Sequence, residues 1–181
     1  MEKYLALLRG INVSGKNLIK MYELRELLKS NEFVEVQTYI QSGNIIFKHK
    51  KVSNSTLEIK INNLIRDFFQ LQVPVIVKLH NELISAISSN PFPEVVEKDF
   101  NKLLLVFLKE TPTAQNIKSL SAMSFTEEKF VIKENLIYLF FKNGSGKSKM
   151  NNNFLESKLK VQSTSRNWNT ILKLDKLLAN S

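Results

Sequence analysis

Apolar and polar residues along the first half of the chain predict two helices set between four strands. Alternating or continuous apolar runs predict strands over residues 4–8, 36–40, 45–48 and 73–79. Apolar residues three and four positions apart predict a helix from Met21 to about Asn31 and another over residues 57–68, capped by Ser55 and Glu58. A turn at residues 41–44 joins the middle strands into a hairpin. The element order is β-α-β-β-α-β, which is that of a ferredoxin-like unit.

The same order recurs in the second half. Strands are predicted over residues 102–108, 129–133, 136–141 and 162–164, with helices over 112–120 and 154–159. Thr111 is expected to cap the first of these helices, and a further helix runs through Trp168. Prolines 91 and 93 mark a boundary between the halves. We therefore predict an α+β protein of two tandem ferredoxin-like subdomains with antiparallel sheets, residues 1–79 and 80–181, the second with an extra terminal helix.

The predicted strands of the two halves differ in polarity. Residues 103–108 and 137–141 are apolar on both strand faces, so we expect both faces of that sheet to be covered. In the first half, Gln37, Tyr39 and Gln41 share one face of their strand. That polar face is a candidate lining for a cleft between the halves.

Composition adds a strong positive charge. The chain has 26 basic and 17 acidic residues, a formal net charge of +9. Clustered Lys and Arg bind phosphates by releasing counterions, so the charge favours nucleic acids or phosphorylated ligands as partners. Only four of the basic residues are Arg, and a chain this rich in Lys, Asn and Ile is equally explained by an AT-rich genome. Charge alone therefore leaves the partner open.

Residue types that are rare or missing exclude several kinds of site. There is no cysteine, which excludes disulfides, and His49 and His80 are too few for the usual zinc sites. No cofactor is expected. The longest purely apolar run, residues 103–108, has six residues, against about 20 for a membrane-spanning helix. We expect a cytoplasmic protein with no membrane segment.

The clearest chemical motif follows the first strand. Residues 7–17, Leu-Leu-Arg-Gly-Ile-Asn-Val-Ser-Gly-Lys-Asn, combine two glycines that tolerate positive φ with the donors of Arg9, Asn12, Lys16 and Asn17. Donors and positive charge crowded into one bend are typical of an anion-binding loop. Asn12 and Asn44 have an equally good alternative role, because Asn near a glycine or a turn commonly hydrogen-bonds the backbone.

Two further segments place polar groups near predicted helix starts. Residues 144–148, Gly-Ser-Gly-Lys-Ser, end like a P-loop, but position 141 is Phe where that motif needs a glycine. Lys147 and Ser148 are candidates for holding an anion, with a plain connection as the alternative. Residues 164–170 place Arg166 at the expected start of the last helix, where it is suited to clamp a phosphate or carboxylate. The alternative there is capping, with Trp168 in the core.

No pattern identifies a catalytic centre. Neither histidine lies in a recognisable nucleophile motif, and Glu127 and Glu128 have no ligand spacing. The Gly-aromatic signature of RNA-binding ferredoxin-like domains is absent. An enzyme built on this chain would need its second substrate to supply the reactive group, as in a transferase.

The chain resembles a bacterial family catalogued as domain of unknown function 1697. The resemblance rests on residues 4–13 with Gly15-Lys16-Asn17, on Thr38-Tyr39-Ile40-Gln41-Ser42-Gly43-Asn44, and on Ser148-Lys149 with Arg166-Asn167-Trp168-Asn169-Thr170. Family members most often carry Gly where this chain has Ser14. The resemblance implies two ferredoxin-like α+β subdomains and supplies no activity, substrate or catalytic residue.

These motifs lead to one hypothesis with two alternatives. We expect binding of an anionic or phosphorylated small molecule in a cleft between the halves, with Arg9, Lys16 and Arg166 as charge partners. The remaining residues expected at this site are Asn12, Asn17, Tyr39, Gln41, Ser42, Asn44, Lys147, Ser148, Asn167 and Asn169. The alternatives are nucleic-acid binding through basic loops and an enzyme of unknown, transferase-like reaction. The oligomeric state is left open.

Overall fold

Residues 1–13, 15–144 and 148–181 are described by the computed structural model of the chain. They form two compact units, the first comprising Met1–Ser85 with Leu174–Ser181 and the second comprising Ala86–Lys173. Each unit contains one four-stranded antiparallel sheet. The predicted α+β class with tandem ferredoxin-like units is confirmed.

The first unit repeats the predicted order of elements. Its elements are β1 (Glu2–Leu8), α1 (Met21–Lys29), β2 (Val34–Tyr39), β3 (Asn44–His49), α2 (Asn54–Phe69), β4 (Val75–Leu79) and α3 (His80–Ser88), the last of which continues into the second unit. The strand order in the sheet is β2-β3-β1-β4. The predicted hairpin of β2 and β3 is confirmed by their antiparallel pairing.

Helices α1 and α2 cover one face of this sheet, because the apolar face of each helix packs against the apolar side chains that alternate residues of the strands direct to that face. Tyr4 and Leu8 of β1 are fully buried there, in one cluster with Leu24 and Leu28 of α1. Burying one such leucine contributes about 1.5–3 kcal/mol. Leu5, which points to the opposite face, is also fully buried, so neither face of β1 is open to water.

The second unit has the same topology. Its elements are β5 (Leu103–Leu108), α4 (Ala114–Ser121), β6 (Glu128–Lys133), β7 (Leu136–Phe141), α5 (Asn152–Leu159), β8 (Ser163–Asn167) and α6 (Trp168–Ala179), of which α6 continues into the first unit. The strand order is β6-β7-β5-β8. Leu105 and Val106 point to opposite faces and are both fully buried, which confirms that both faces of β5 are covered. Among the described residues, no helix has the length and apolar content needed to cross a membrane.

The last residues of β1 and β5 make equivalent backbone hydrogen bonds in the two units. The N–H of Leu8 donates to the carbonyl of Gly43 in the β2–β3 turn, and the N–H of Leu108 donates to the carbonyl of Asn135 in the β6–β7 turn, both at 2.8 Å. The connections that follow are unequal in length, because residues 9–20 join β1 to α1 whereas residues 109–113 join β5 to α4. The longer connection carries the first motif of the sequence.

Two helix caps differ from those predicted. Helix α2 is capped by Ser53 and not by Ser55, and the Glu58 carboxylate accepts a hydrogen bond from a backbone N–H of β4 at 3.0 Å. Helix α4 is capped by Thr113 and not by Thr111. Several neighbouring Ser and Thr residues are equally able to cap, so the packing of the first turn decides which one does.

Tyr138 provides a pH-dependent test of the second unit's core. Its buried hydroxyl donates to the Ala86 carbonyl at 2.7 Å, and burial raises the pKa of Tyr138 from 10.0 to about 12. Because the folded state holds this proton more tightly, its contribution to stability is complete below pH 10.0 and is lost as the pH rises towards about 12. We expect Tyr138→Phe to cost about 1 kcal/mol at neutral pH and to flatten the alkaline loss. Urea unfolding of both proteins across this range tests it, and an unchanged alkaline slope in the variant would contradict it.

Candidate functional site

In the connection between β1 and α1, backbone hydrogen bonds link residues on either side of Ser14, which lies outside the described residues. Val13 and Lys16 form an isolated antiparallel bridge, in which the Lys16 N–H donates to the Val13 carbonyl at 3.0 Å. Outside this bridge, the Asn12 N–H donates to the Asn17 carbonyl at 3.2 Å. The glycines of the loop adopt the positive φ that the sequence predicts. We call the described residues 9–13 and 15–20 the basic loop.

Asn12 connects the basic loop to the β2–β3 turn. Its side-chain Nδ2 donates to the carbonyls of Ile19 and Gln41 at 2.9 and 3.0 Å, and its Oδ1 accepts the Ile19 N–H at 2.9 Å. Both amide protons of Asn12 are therefore used by the backbone. The Nδ2 of Asn17 likewise donates to the Gly10 carbonyl at 2.9 Å. The turn-forming role that the sequence left open for Asn12 is the one that its hydrogen bonds show.

The β2–β3 turn packs directly against the end of β1. Gly43 has a φ of +77°, and a Cβ at this position would lie 2.6 Å from the Leu8 Cβ and 2.9 Å from the Ile11 Cδ1. Such distances leave no room for a side chain. The turn and the basic loop therefore form one closely packed structure at this end of the first unit.

Asn44 supports the same turn from inside. It is the first residue of β3, where it pairs with Tyr39, and it is fully buried. Its Nδ2 donates to the Tyr39 carbonyl and to the Ser42 Oγ, both at 3.0 Å. Asn44 and Ser42 therefore hold the turn together.

Other predicted site residues of the first unit reach the surface. Lys16, Asn17 and Gln41 are exposed, and Arg9 and Tyr39 are partly exposed. The backbone N–H of Arg9 donates to the carbonyl of the residue before β4 at 3.0 Å, which fixes the start of the basic loop against that strand. The structure thus brings the first two sequence motifs together.

Helix α1 places an arginine, Arg25, beside the basic loop, and this residue was not among those predicted for the site. The Arg25 Nη1 donates to the Thr38 Oγ1 of β2 at 2.7 Å, and the guanidinium carbon lies 5.8 Å from the centre of the Tyr22 ring. The spacing of Tyr22 and Arg25 by three residues places them on one face of the helix. That spacing was the available sequence signal.

Arg166 lies within β8 of the second unit and not at the start of the last helix. It pairs with Leu105 of β5 and is 7% exposed, and its Nη1 donates to the Thr164 Oγ1 and the Ser165 carbonyl, both at 2.8 Å. Burial lowers the pKa of Arg166 to about 10, so the guanidinium is charged at neutral pH. In the first unit Lys78, also 7% exposed, pairs with Leu5 at the corresponding position. A buried cation at this register is therefore common to both sheets.

The other residues of the third motif form the junction between β8 and α6. The Asn167 Nδ2 donates to the Asn101 carbonyl at 3.0 Å, and its Oδ1 accepts the Asn169 N–H at 3.0 Å. Trp168 is buried, with its ring centre 6.4 Å from that of Tyr138. The predicted core role of Trp168 is confirmed, and Asn167 forms the cap expected under the alternative interpretation.

Of the predicted glycine-rich site, Lys147 lies outside the described residues. The Ser148 hydroxyl donates to Glu128 Oε1 at 2.6 Å and accepts the Met150 N–H at 2.9 Å, so it links β6 to the segment before α5. A cavity of about 110 Å³ lies beside it, lined mainly by apolar residues and by the hydroxyls of Ser148 and Ser165. The Asn151 side chain caps α5.

The structure also pairs His80 with Asp175, with 2.8 Å between Nε2 and Oδ1. The Lys3 Nζ donates to the Leu178 carbonyl at 2.8 Å. Both contacts fasten the end of α6 to the first unit, and neither has a local sequence signal. Within the described part of the chain, no group of three or more His, Asp or Glu side chains is arranged to hold a metal ion.

Comparisons with known proteins agree with this architecture. A family model described as "Protein of unknown function (DUF1697)" matches residues 1–138, which include the first two motifs and end before residues 144–148. No curated protein matches the chain. Among solved structures, the chain is similar to the conserved bacterial protein SP0830 from Streptococcus pneumoniae, with a TM-score of 0.73, 24% sequence identity and 98% of each chain covered. At that identity the likeness shows the fold alone.

Proposed function

The chain belongs to the DUF1697 family, whose description assigns no activity, and we propose from its own residues that it binds an anionic ligand at the basic loop. The proposed ligand is a small molecule carrying a phosphate or carboxylate. The single observation that carries the proposal is the set of hydrogen bonds by which the Asn12 and Asn17 side chains hold the backbone of the basic loop without a ligand. A rigid loop loses little entropy on binding.

The fold itself does not require so long a connection. The second unit makes the equivalent link with residues 109–113, whereas the first unit uses residues 9–20. Extra loop residues cost conformational entropy when they are ordered, and polar residues on ordered surface loops commonly serve binding. The additional length therefore supports a function located in the basic loop.

The chemistry of the basic loop suits an anion. Lys16, one of the two bridge residues, is exposed, and Arg9 is partly exposed where the loop begins. Gly10 and Gly15 have open space where a Cβ would lie, so a ligand has room to approach the backbone closely. Two cations beside accessible backbone provide both charge attraction and hydrogen-bond donors.

We expect Lys16→Gln to weaken binding of pyrophosphate about five- to tenfold, because one charge-assisted contact of about 1–1.4 kcal/mol is lost. Isothermal titration with pyrophosphate as the probe measures this at low and at moderate salt. Lys118→Gln, an exposed lysine of α4, is the matched control and should bind as the unaltered chain does. Equal affinities of all three proteins would contradict a site at the basic loop.

The same titration with short oligonucleotides distinguishes binding of a small anion from the alternative, which is nucleic-acid binding. A small-ligand site takes up pyrophosphate with a shallow dependence on salt, whereas a nucleic-acid interface releases several counterions and loses affinity steeply. Binding of oligonucleotides alone, with a steep salt slope, would replace the proposed function by nucleic-acid binding.

A further inference from the structure

Four large apolar side chains are exposed in and beside the basic loop. Val13 is 57% exposed, Leu18 69%, Tyr22 65% and Ile40 50%. We call these four residues the apolar patch. Single exposed apolar residues are ordinary on a protein surface, whereas several gathered together mark an interaction site.

Hydrogen bonds bring together the chain segments that carry these four residues. The Asn12 side chain joins the backbone of Ile19, next to Leu18, to that of Gln41, next to Ile40. Val13 directly follows Asn12 in the chain. On the other side, Tyr22 lies under the Arg25 guanidinium, which reaches β2 at Thr38. The apolar patch therefore spans the basic loop, the start of α1 and the β2–β3 turn.

Ile40 is the least expected member of the patch. It has a φ of +50° while its side chain is half exposed. A β-branched residue in the left-handed region is strained, and Asn or Gly would adopt this conformation at lower cost. Strained residues at the surface are a recognised basis for inferring a binding role.

The charges around the patch are mainly positive. Lys16 and Lys20 are exposed and Arg9 and Arg25 are partly exposed, while Glu23 is paired with Lys20 at 3.0 Å. We propose that the apolar patch docks a protein partner that presents an apolar segment flanked by Asp or Glu side chains. This goes beyond the proposed function and does not depend on it.

The composition of the patch favours a peptide over a nucleic acid. Val13, Leu18 and Ile40 are aliphatic, and bases stack on aromatic rings. The Tyr22 ring is already covered on one side by Arg25. A second copy of this chain is a poor occupant, since its own net charge of +9 opposes the positive rim.

The test uses a fluorescent synthetic peptide with leucines on one helical face and glutamates on the other. We expect the unaltered chain to bind it, and Leu18→Ser and Ile40→Asn each to weaken binding about tenfold or more by fluorescence anisotropy. Ile40→Asn should also raise the melting temperature by about 2–4 °C, because Asn tolerates the left-handed backbone. Weaker binding by a more stable protein cannot be attributed to unfolding.

Control peptides and ligands separate the outcomes. A peptide with lysines in place of the glutamates, and one with alanines in place of the leucines, should bind at least tenfold more weakly. Ile40→Asn, which lies outside the basic loop, should leave pyrophosphate affinity unchanged, whereas Lys16→Gln tests the proposed function separately. The inference is overturned if the unaltered chain does not bind the acidic peptide, if both patch variants bind it normally, or if they lose only oligonucleotide binding or self-association.

Discussion

Gly43→Ala is expected to lower the free energy of unfolding of the protein by about 3–4 kcal/mol, and its melting temperature by about 10 °C. Two costs add at this position. A non-glycine residue at a φ of +77° is strained by about 1–2 kcal/mol, and the new Cβ would lie 2.6 Å from the Leu8 Cβ and 2.9 Å from the Ile11 Cδ1. The β2–β3 turn would have to move away from β1 to relieve these contacts. Urea and thermal unfolding followed by circular dichroism measure the loss.

Gly10→Ala is the matched control for this prediction. Gly10 also has a positive φ, +67°, but open space surrounds the position where its Cβ would lie. Its substitution should therefore show only the backbone strain of about 1–2 kcal/mol. Equal losses in the two variants would mean that the turn does not pack tightly against the end of β1.

Asn12→Ala is expected to cost about 2–4 kcal/mol and to abolish pyrophosphate binding at the basic loop. The substitution removes three hydrogen bonds to the backbone of Ile19 and Gln41, each contributing about 1 kcal/mol. Alanine is also less tolerant than asparagine of the positive φ of 53° at this position. Unfolding experiments give the stability, and hydrogen exchange of residues 10–20 reports whether the loop has loosened.

Two companion variants separate the causes of this loss. Asn12→Gly relieves the backbone strain and still lacks all three hydrogen bonds, so the difference between Gly and Ala gives the conformational part. Asn17→Ala removes a single bond, from Nδ2 to the Gly10 carbonyl, and should cost about 1 kcal/mol. An Asn12→Ala protein with normal loop protection and normal pyrophosphate affinity would show that the loop does not need this residue to bind.

The order of elements was predictable because each signal is local. The apolar spacing of α1 predicted its helix, which begins at Met21 as expected and ends at Lys29, close to Asn31. The hairpin of β2 and β3 follows from turn residues between apolar runs, at residues 41–44. Repetition of these local signals was enough to predict two ferredoxin-like units.

Strand β8 shows where local signals fail. Its sequence, Ser-Thr-Ser-Arg-Asn, is polar throughout, and the apolar pattern predicted a strand that ended at Thr164. Pairing with β5 extends the strand to Asn167, because backbone hydrogen bonds form whatever the side chains are. The predicted helix cap of α2 was wrong for a related reason. Ser53 and Ser55 have the same capping chemistry, and only packing distinguishes them.

The candidate site was found in part. Glycines and asparagines after β1 identified the basic loop, and the turn-forming alternative for Asn12 proved to be the one its side chain uses. The predicted accessible clamp at Arg166 is instead a buried guanidinium within a strand. The pairing of His80 with Asp175 joins residues 95 positions apart and has no counterpart in any local pattern.

By itself the sequence determined the α+β class, the tandem repeat, the net charge and the composition of the basic loop. These properties depend on residues close together in the chain, whose spacing decides between helix, strand and turn. Only the tertiary structure decided that Asn12 donates its amide protons to backbone carbonyls, that Gly43 has no room for a side chain, and that four exposed apolar residues lie in and beside the basic loop. Those facts depend on which distant segments pack together, and that packing also decides which side chains are buried and which reach a ligand.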